Sequence, residues 1–336
     1  MTSGSAFAAG SAPNSGIPAL YPGAALIATT LGLHGYRKGS LSLSGAIAAF
    51  LVGYGHLANP AKVFGVTMIG MYLLGSRATK VKVDVKAKLE DGPDPLKPSG
   101  NRNWIQVLSN SLPGLLAALA YRLGPASQLE KKSVILALDP IARPLIYVSL
   151  GLNAAILADT FASELGILSR SSPRHILTLQ PVPKGTNGGV SPLGLVWSVA
   201  GGGAIGGIMA LDLWFENLAT RLSGAGAGWA LELVGVGMVL GLAGSLLDSI
   251  LGATLQSTYY SKASGKILTD TSDAYISFKA SSSSKSAITM KDHGDEKDNE
   301  GIKKIGFGLD VLSNSGVNFV TGCAIAAVGW WYGTKY

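Results

Sequence analysis

The chain has 336 residues, of which only 14% are charged and 45 are glycine. This composition and a mean hydropathy of +0.34 exclude an ordinary soluble domain and fit a polytopic helical membrane protein. The net charge of +7 does not indicate nucleic-acid binding, because Lys and Arg cluster in loops between apolar segments, as the positive-inside rule predicts.

Eight apolar segments are candidate membrane helices, since a span needs about 20 mostly apolar residues. They cover residues 17–36, 44–58, 61–76, 104–122, 133–157, 193–214, 228–250 and 311–332. Prolines interrupt the fifth, so a surface helix followed by a span over 144–162 is an equally good interpretation. Within it, Asp139 and Arg143 are four residues apart and can pair on one helix face. We predict an all-α membrane helix bundle of about six to eight transmembrane helices, forming a single domain over 17–332.

Three loops between these segments carry most of the basic residues, namely 77–103, 167–192 and 257–310. If the fifth segment crosses once, all three lie on the same side, which the positive-inside rule assigns to the cytosol. The loop 257–310 is a polar, low-complexity insert that interrupts the domain. Its stretch SSSSKSAITMKDHGDEKDNEG (281–301) has no apolar periodicity and is typical of disorder, which we also expect for residues 1–16.

Two pairs of similar segments suggest an internal repeat. VLSNS occurs at 107–111 and again at 311–315, each time where an apolar segment starts. GLNAAILADTF and GLAGSLLDSI each lead through small residues and leucine to an aspartate. Repeated halves are common in membrane folds, but a chance match is equally open.

Two aspartates stand in apolar runs, Asp159 in GLNAAILADTFASELG and Asp248 in GLAGSLLDSILGATLQ. An ionisable group in a membrane helix is costly and therefore indicates function. Glu164 follows Asp159 closely, and carboxylate oxygens suit Mg²⁺, which shares phosphate oxygens with a substrate. We predict that Asp159, Glu164 and Asp248 are catalytic and bind Mg²⁺. The alternative is that Asp159 only caps its helix.

The loop VPKGTNGGVSPLG (182–194) between the two aspartates offers phosphate-binding groups. They are Lys184, Gly185, Thr186, Asn187, Gly188 and Gly189. Glycines let backbone N–H groups approach an anion closely, although the spacing is not that of a Walker A loop. In the preceding SRSSPRH, Arg170 and Arg174 are further candidates. A plain polar turn and positive-inside anchoring are the alternatives.

Asparagines mark the starts of two apolar segments. Asn103, Asn110, Asn314 and Asn318 are candidates for lining a polar cavity or for bridging helices by hydrogen bonds. In contrast, GGGAIGG (201–207) lies inside an apolar segment, where close helix packing explains it better than nucleotide binding.

Five motifs in this order, RNWIQVLSN, ADTFASELG, SSPR, VPKGTNGGVSPLG and GSLLDSILGATLQ, resemble the transmembrane protein 19 family (domain of unknown function 92). A plant member of that family is regarded as a phytyl-phosphate kinase of chloroplast membranes. The resemblance implies an enzyme that phosphorylates an isoprenoid (phytyl or prenyl) monophosphate to the diphosphate. It points to Asp159, Glu164, Lys184, Thr186, Asn187, Gly188, Gly189 and Asp248. An acidic helix end before a Lys/Gly/Thr loop is also similar to dolichol kinase and phosphatidate cytidylyltransferase, which implies CTP as the donor.

On this hypothesis the glycine loop holds a nucleoside triphosphate and the two arginines neutralise the acceptor phosphate of an isoprenoid lipid, whose tail lies between the glycine-rich helices. The alternatives are an ion-coupled transporter, which needs its acids near the bilayer midplane, and a CTP-dependent lipid nucleotidyltransferase. A homo-oligomer is compatible with the sequence. We expect an integral membrane protein of the endoplasmic reticulum or another endomembrane, because no arginine precedes Arg37 to suggest chloroplast targeting.

Overall fold

A computed structural model describes residues 20–91, 101–131, 134–222, 224–269, 272, 274–279, 301–305 and 308–335. The expected disorder of 1–16, and of all but the last residue of 281–301, lies outside these ranges.

Most of the described chain is helical. The helices are α1 Pro22–Arg37, α2 Leu43–Leu57, α3 Val63–Ala78, α4 Val83–Lys86, α5 Trp104–Ser109, α6 Leu112–Leu123, α7 Ala142–Gly166, α8 Pro192–Glu216, α9 Leu218–Leu222, α10 Gly228–Leu255, α11 274–279 and α12 Asn314–Lys335. The strands are β1 Glu90–Asp91, β2 Arg174–His175, β3 Gly189–Val190, β4 Thr258–Ser261, β5 Lys266–Leu268 and β6 Ile302–Ile305.

Each predicted apolar segment contains a helix, but two differ from expectation. By length and composition, α7, α8 and α10 can cross a membrane, while α2, α3 and α6 are shorter apolar helices. The segment 104–122 is broken into α5 and α6 at Asn110 and Ser111, just before Pro113 in the first turn of α6. The fifth helix starts at Ala142, not at 133, which favours the second interpretation of that segment.

Helix α7 is the central helix and packs against α3, α6, α8, α10 and α12. Its contacts, and those between α8 and α10, depend on small residues. A Cβ at Gly202 would collide with the Gly237 carbonyl, and one at Gly206 with the Leu233 carbonyl. The glycines therefore let helix backbones touch, as expected for GGGAIGG. Because backbone fills the space between α8 and α10 at this contact, the expectation that a lipid tail lies between the glycine-rich helices is wrong there.

A buried ion pair joins three helices at one end of the bundle, here called the distal end. Arg143 of α7 is 2% exposed, and its Nη2 donates to Glu232 Oε1 of α10 at 2.5 Å. Tyr332 of α12 donates to the same oxygen at 2.8 Å. The predicted Asp139–Arg143 pair is thus wrong, because Asp139 Oδ1 instead accepts from the N–H groups of Ile141 and Ala142 and caps α7.

The polar insert is structured at its two ends, which corrects the all-α prediction to a mostly helical fold with a small sheet. The strand order is β1-β5-β4-β6, with β4 antiparallel to both neighbours and β1 parallel to β5. After β6 the chain returns to α10, where the Leu309 N–H donates to the Thr254 carbonyl at 2.8 Å and that of Val311 to the Leu255 carbonyl at 3.1 Å.

The three basic loops meet at the other end of the bundle, here called the cavity end. Strand β1 belongs to loop 77–103 and pairs with β5 of the insert. In loop 167–192, the Asn187 N–H donates to Thr258 Oγ1 at 3.1 Å, which also reaches the insert. The three loops therefore lie on one side, as their charge predicted.

Candidate functional site

A cavity of about 610 Å³ lies at the cavity end. Its volume is within the range of small-molecule sites, about 300–1,000 Å³. Six parts of the chain line it: the start of α5, the end of α7 with the residues after it, the glycine loop 184–190, the start of α8, the end of α10 with the first insert strands, and the start of α12. Of the predicted site residues, it contains Asn103, Asp159, Glu164, Lys184, Gly185, Thr186, Asn187, Gly188, Gly189, Asp248 and Asn314.

Close helix packing brings Asp159 and Asp248 to this cavity. A Cβ at Gly244 would collide with Ala155, so α7 and α10 touch one helical turn before the two acids. Both side chains are half-buried and both line the cavity. Two like charges at one site are costly unless a cation or a donor compensates them.

An amide fixes one of these carboxylates. The orientation of an amide is assigned from its neighbours; with its nitrogen towards α10, Asn318 donates to Asp248 Oδ2 at 3.2 Å and to the Asn314 carbonyl at 3.2 Å. The other end of the Asn318 amide lies 3.2 Å from Asn110 Oδ1. Asn110 and Asn318 therefore do not line the cavity. Of the two roles expected for them, they have the second: they bridge α5, α12 and α10 behind Asp248.

The glycine loop consists of two consecutive turns. The Thr186 N–H donates to the Pro183 carbonyl, and the Gly189 N–H to that of Thr186. Gly185 and Gly188 are each the third residue of a turn, with φ of 86° and 77°, the position at which a type II turn requires positive φ. No hydrogen bond within the described residues uses the N–H groups of Gly185 and Gly188, and both residues line the cavity.

This loop is docked on the end of α10. A Cβ at Gly188 would collide with Ala253 and come within 3.0 Å of the Ser249 carbonyl. Next to it, Asn187 Nδ2 donates to the Ser257 carbonyl at 3.3 Å. Since Ser249 directly follows Asp248, the docking brings the glycine turns and the aspartates together.

Lys184 joins the glycine loop to the segment that follows α7. Lys184 lines the cavity, and its Nζ donates to the Ser169 carbonyl at 2.5 Å. A lysine ammonium carries three donors, so Lys184 can hold this carbonyl and an anion together. Ser191, which ends the loop, caps α8 by accepting from the Gly194 N–H at 3.1 Å.

Three predicted site residues have other positions or partners. Glu164 lines the cavity, but its Oε2 accepts from Lys86 Nζ of α4 at 2.6 Å. Arg170 and Arg174 are exposed and do not line the cavity, and Arg174 Nη1 donates to the Leu179 carbonyl at 2.8 Å. The geometry therefore gives no support to a role for these two arginines at a phosphate in this cavity.

The cavity fits Mg²⁺ with two carboxylates rather than three. The described residues contain no cluster of three His, Cys, Asp or Glu side chains that could hold a metal. However, Asp159 and Asp248 share the cavity with the hydroxyl residues Ser245 and Ser249. An all-oxygen set with one or two carboxylates is what Mg²⁺ takes when waters and phosphate oxygens complete its shell.

Two contributors were missed from the sequence. Thr258 accepts from the glycine loop, and the polar run Gln256-Ser257-Thr258 directly after α10 was a usable signal for it. No sequence signal pointed to Lys86, because α4 is one short turn in a basic loop. The contact of Lys86 with Glu164 also joins residues far apart in sequence.

Comparison with known proteins identifies the family. A family model described as "Integral membrane protein DUF92" matches residues 26–326. The chain belongs to the DUF92 family. It is 32% identical to Protein PGR of Arabidopsis thaliana over 299 residues, 89% of this chain and 91% of that protein. An uncharacterized membrane protein of Synechocystis is 30% identical over 231 residues, 62% of this chain and 72% of that protein. One of Methanocaldococcus jannaschii is 37% identical over 103 residues, 31% and 37% of the two chains.

Membership of the DUF92 family confirms the resemblance found in the motifs. The protein is a mostly helical, multi-pass integral membrane protein, so a lipid bilayer surrounds the bundle. No solved structure matches the chain.

Proposed function

We propose that this DUF92 protein is a membrane-embedded kinase that phosphorylates an isoprenoid lipid monophosphate to the diphosphate, using CTP or another nucleoside triphosphate. One observation carries the proposal: Asp159 and Asp248 share a cavity with the two glycine turns of residues 183–189. This combination of carboxylates with backbone donors and a lysine suits a magnesium-bound polyphosphate.

In the proposed reaction, an oxygen of the acceptor phosphate forms a bond to the γ-phosphorus of the donor. The bond between that phosphorus and the β–γ bridging oxygen breaks, and the nucleoside diphosphate leaves. Asp159 and Asp248 would hold Mg²⁺, which supplies charge neutralisation on the phosphate oxygens. Lys184 and the N–H groups of Gly185 and Gly188 bind the donor phosphates. Because positioning and charge neutralisation dominate phosphoryl transfer, no covalent nucleophile is needed.

The position of the two acids beside the glycine loop favours a kinase over an ion-coupled transporter. Asp159 and Asp248 are each about two turns, or about 10 Å, from the ends of α7 and α10 at the cavity end. At the distal end, the buried Arg143–Glu232 pair and close glycine contacts fill the bundle. A transporter needs acids near the midplane with access from both sides, whereas a kinase needs them beside the donor loop.

The test is product formation by purified protein in lipid nanodiscs. It is incubated with Mg²⁺, each nucleoside triphosphate in turn and a panel of prenyl monophosphates, including phytyl monophosphate, and the lipids are analysed by mass spectrometry. A prenyl diphosphate is the expected product. A lipid that carries the nucleoside monophosphate, formed with release of pyrophosphate, would instead establish a nucleotidyltransferase.

We predict that Asp159→Asn and Asp248→Asn each reduce diphosphate formation at least about a thousand-fold, because each removes a metal-binding charge. The matched control is Asp212→Asn, an acid of α8 outside the cavity, which should retain turnover. All three variants should elute as wild type in size-exclusion chromatography. Normal turnover in both cavity variants would exclude the metal assignment.

A further inference from the structure

The cavity opens between α5 and α12. On one side it is lined by Asn103, Ile105 and Gln106, and on the other by Ser313, Asn314 and Ser315. Ile105 both lines the cavity and is 47% exposed on the outer surface. The cavity that contains the aspartates therefore reaches the protein surface at Ile105.

The rim of this opening is amphipathic. Trp104 is 52% and Val311 65% exposed, while the polar side chains next to them, Asn103 and Ser313, line the cavity. Tryptophan is enriched where a membrane protein meets the headgroup layer. The rim thus presents apolar groups to lipid and polar groups to the cavity.

The opening is confined to this depth. One turn or more further into the bundle, the Asn110–Asn318 contact of 3.2 Å joins α5 to α12. In addition, the contact surface of α8 and α10 is filled by glycine backbone. A chain attached to a head group in the cavity can therefore leave sideways over the rim, but not downward between α8 and α10.

A basic residue lies next to this rim in the sequence. Arg102 precedes Asn103, and its side chain is exposed. Its backbone is held in place, because its N–H donates to the Ser40 carbonyl at 3.1 Å and its carbonyl accepts from the Ser42 N–H at 3.0 Å. A basic residue beside an apolar rim attracts an anionic amphiphile from the bilayer surface.

We propose that the α5–α12 rim, defined by Arg102, Trp104, Ile105 and Val311, is the binding site of the acceptor. The ligand class is a single-chain lipid monophosphate. Its phosphate passes Arg102 into the cavity, and its first isoprene units lie on Trp104, Ile105 and Val311 before the chain enters the bilayer. This assignment rests on the proposed function for its reaction, but the binding site itself is testable without turnover.

The first test is photo-crosslinking on wild-type protein in nanodiscs without nucleotide. The probe is a prenyl monophosphate with a benzophenone in its first isoprene unit. Crosslinks are expected in peptides that contain residues 102–109 and 309–319. An excess of unlabelled prenyl monophosphate should suppress them, whereas the corresponding prenyl alcohol should not. Crosslinks that fall on other helices, or that both competitors suppress equally, would overturn the assignment.

The second test is acceptor kinetics with Trp104→Ala and Ile105→Asn. Each should raise the KM for geranylgeranyl monophosphate about ten-fold, which corresponds to about 1.4 kcal/mol. The KM for the nucleotide and turnover of the short dimethylallyl monophosphate should change by less than about two-fold. The matched control is Trp331→Ala, an exposed tryptophan on α12 near the distal end, which should leave both KM values unchanged.

The two proposals fail in different ways. If the wild-type protein makes no diphosphate from any donor, the proposed kinase activity is refuted. The crosslinks, which do not need turnover, would still test whether the lipid binds at the rim. If instead wild type is active but the rim variants lose turnover equally for long and short acceptors, the kinase stands and the rim assignment is refuted.

Discussion

Gly188 has a tightly restricted backbone position in the cavity wall. Its φ of 77° is unfavourable for any residue with a Cβ, and a Cβ would also collide with Ala253 of α10. Both constraints exist because this turn must lie directly on the helix that carries Asp248. At the scale of one residue, the glycine therefore connects the glycine loop to the helix that carries the carboxylate.

We predict that Gly188→Ala raises the KM for the nucleotide at least about ten-fold, because the turn must move away from α10 to accommodate the methyl group. The control is Gly207→Ala, a helical glycine of α8 whose added Cβ meets no atom within 4 Å. That change should leave the KM unaltered and stabilise the helix by about 0.5–1 kcal/mol. Equal nucleotide KM values in the two variants would contradict the docking of this turn.

Individual site residues differed in how far the sequence could predict them. Asp159 and Asp248 were found because an acid in an apolar run is conspicuous whatever the fold. The role of Asn318 was only half predicted: a helix-bridging role was one of two alternatives, but its contact with Asp248 depends on how α12 packs on α10. Likewise the ion pair of Glu164 could not be foreseen, since its partner Lys86 comes from a distant loop.

At the scale of helices, the Arg143–Glu232 pair connects α7, α10 and α12 at the distal end. Glu232 accepts from both Arg143 and Tyr332, and the Arg143 guanidinium lies 4.7 Å from the centre of the Tyr147 ring. Arg143 Nη1 also donates to the Ala137 carbonyl at 3.1 Å. A guanidinium this deeply buried is tolerated only because its partners are in place.

We predict that Arg143→Met lowers the free energy of unfolding by about 3–5 kcal/mol, because it leaves Glu232 without its countercharge. The double change Arg143→Met with Glu232→Leu should recover most of this loss, since neither charge then remains. Thermal unfolding in detergent measures both effects.

The matched control for this pair is Lys62→Met. Lys62 pairs with Glu216 at 2.7 Å, but the side chains are 61% and 41% exposed, so the loss should stay below about 1 kcal/mol. Equal destabilisation by the two single changes would show that burial does not matter to the Arg143 pair.

Element prediction succeeded where a single physical signal dominated. Apolar runs located the helices, and two prolines correctly raised doubt about the start of α7. The break between α5 and α6 was missed because the apolar residues on both sides of Ser109-Asn110-Ser111 gave 104–122 the length of one span. The strands of 257–310 were missed for a different reason: they are short, their sequence has no alternating pattern, and β1–β5 pairing joins distant segments.

Across the whole molecule, polarity is divided between two ends. The three basic loops, the sheet and the cavity share one end, while the loop that joins α8 to α10 lies at the other. This asymmetry is what the positive-inside rule expects of a protein with a single orientation, and it confines the proposed chemistry to one membrane surface.

We predict that single cysteines at Ser171 and Lys262 react with a membrane-impermeant maleimide from the same side of sealed vesicles. A cysteine at Leu222 should react only from the opposite side. All three residues are exposed, and the native Cys323 is first replaced by serine. Labelling of Ser171→Cys and Lys262→Cys from different sides would refute the common location of the loops.

The parallel pairing of β1 with β5 has a consequence for biosynthesis. Strand β1, Glu90–Asp91, can pair only after Ile267–Leu268 of β5 has been synthesised. That segment leaves the ribosome only after α10 has been made. Early helices can thus enter the bilayer while the cavity still lacks a wall, and nascent chains stalled before β5 should insert normally yet lack the proposed activity.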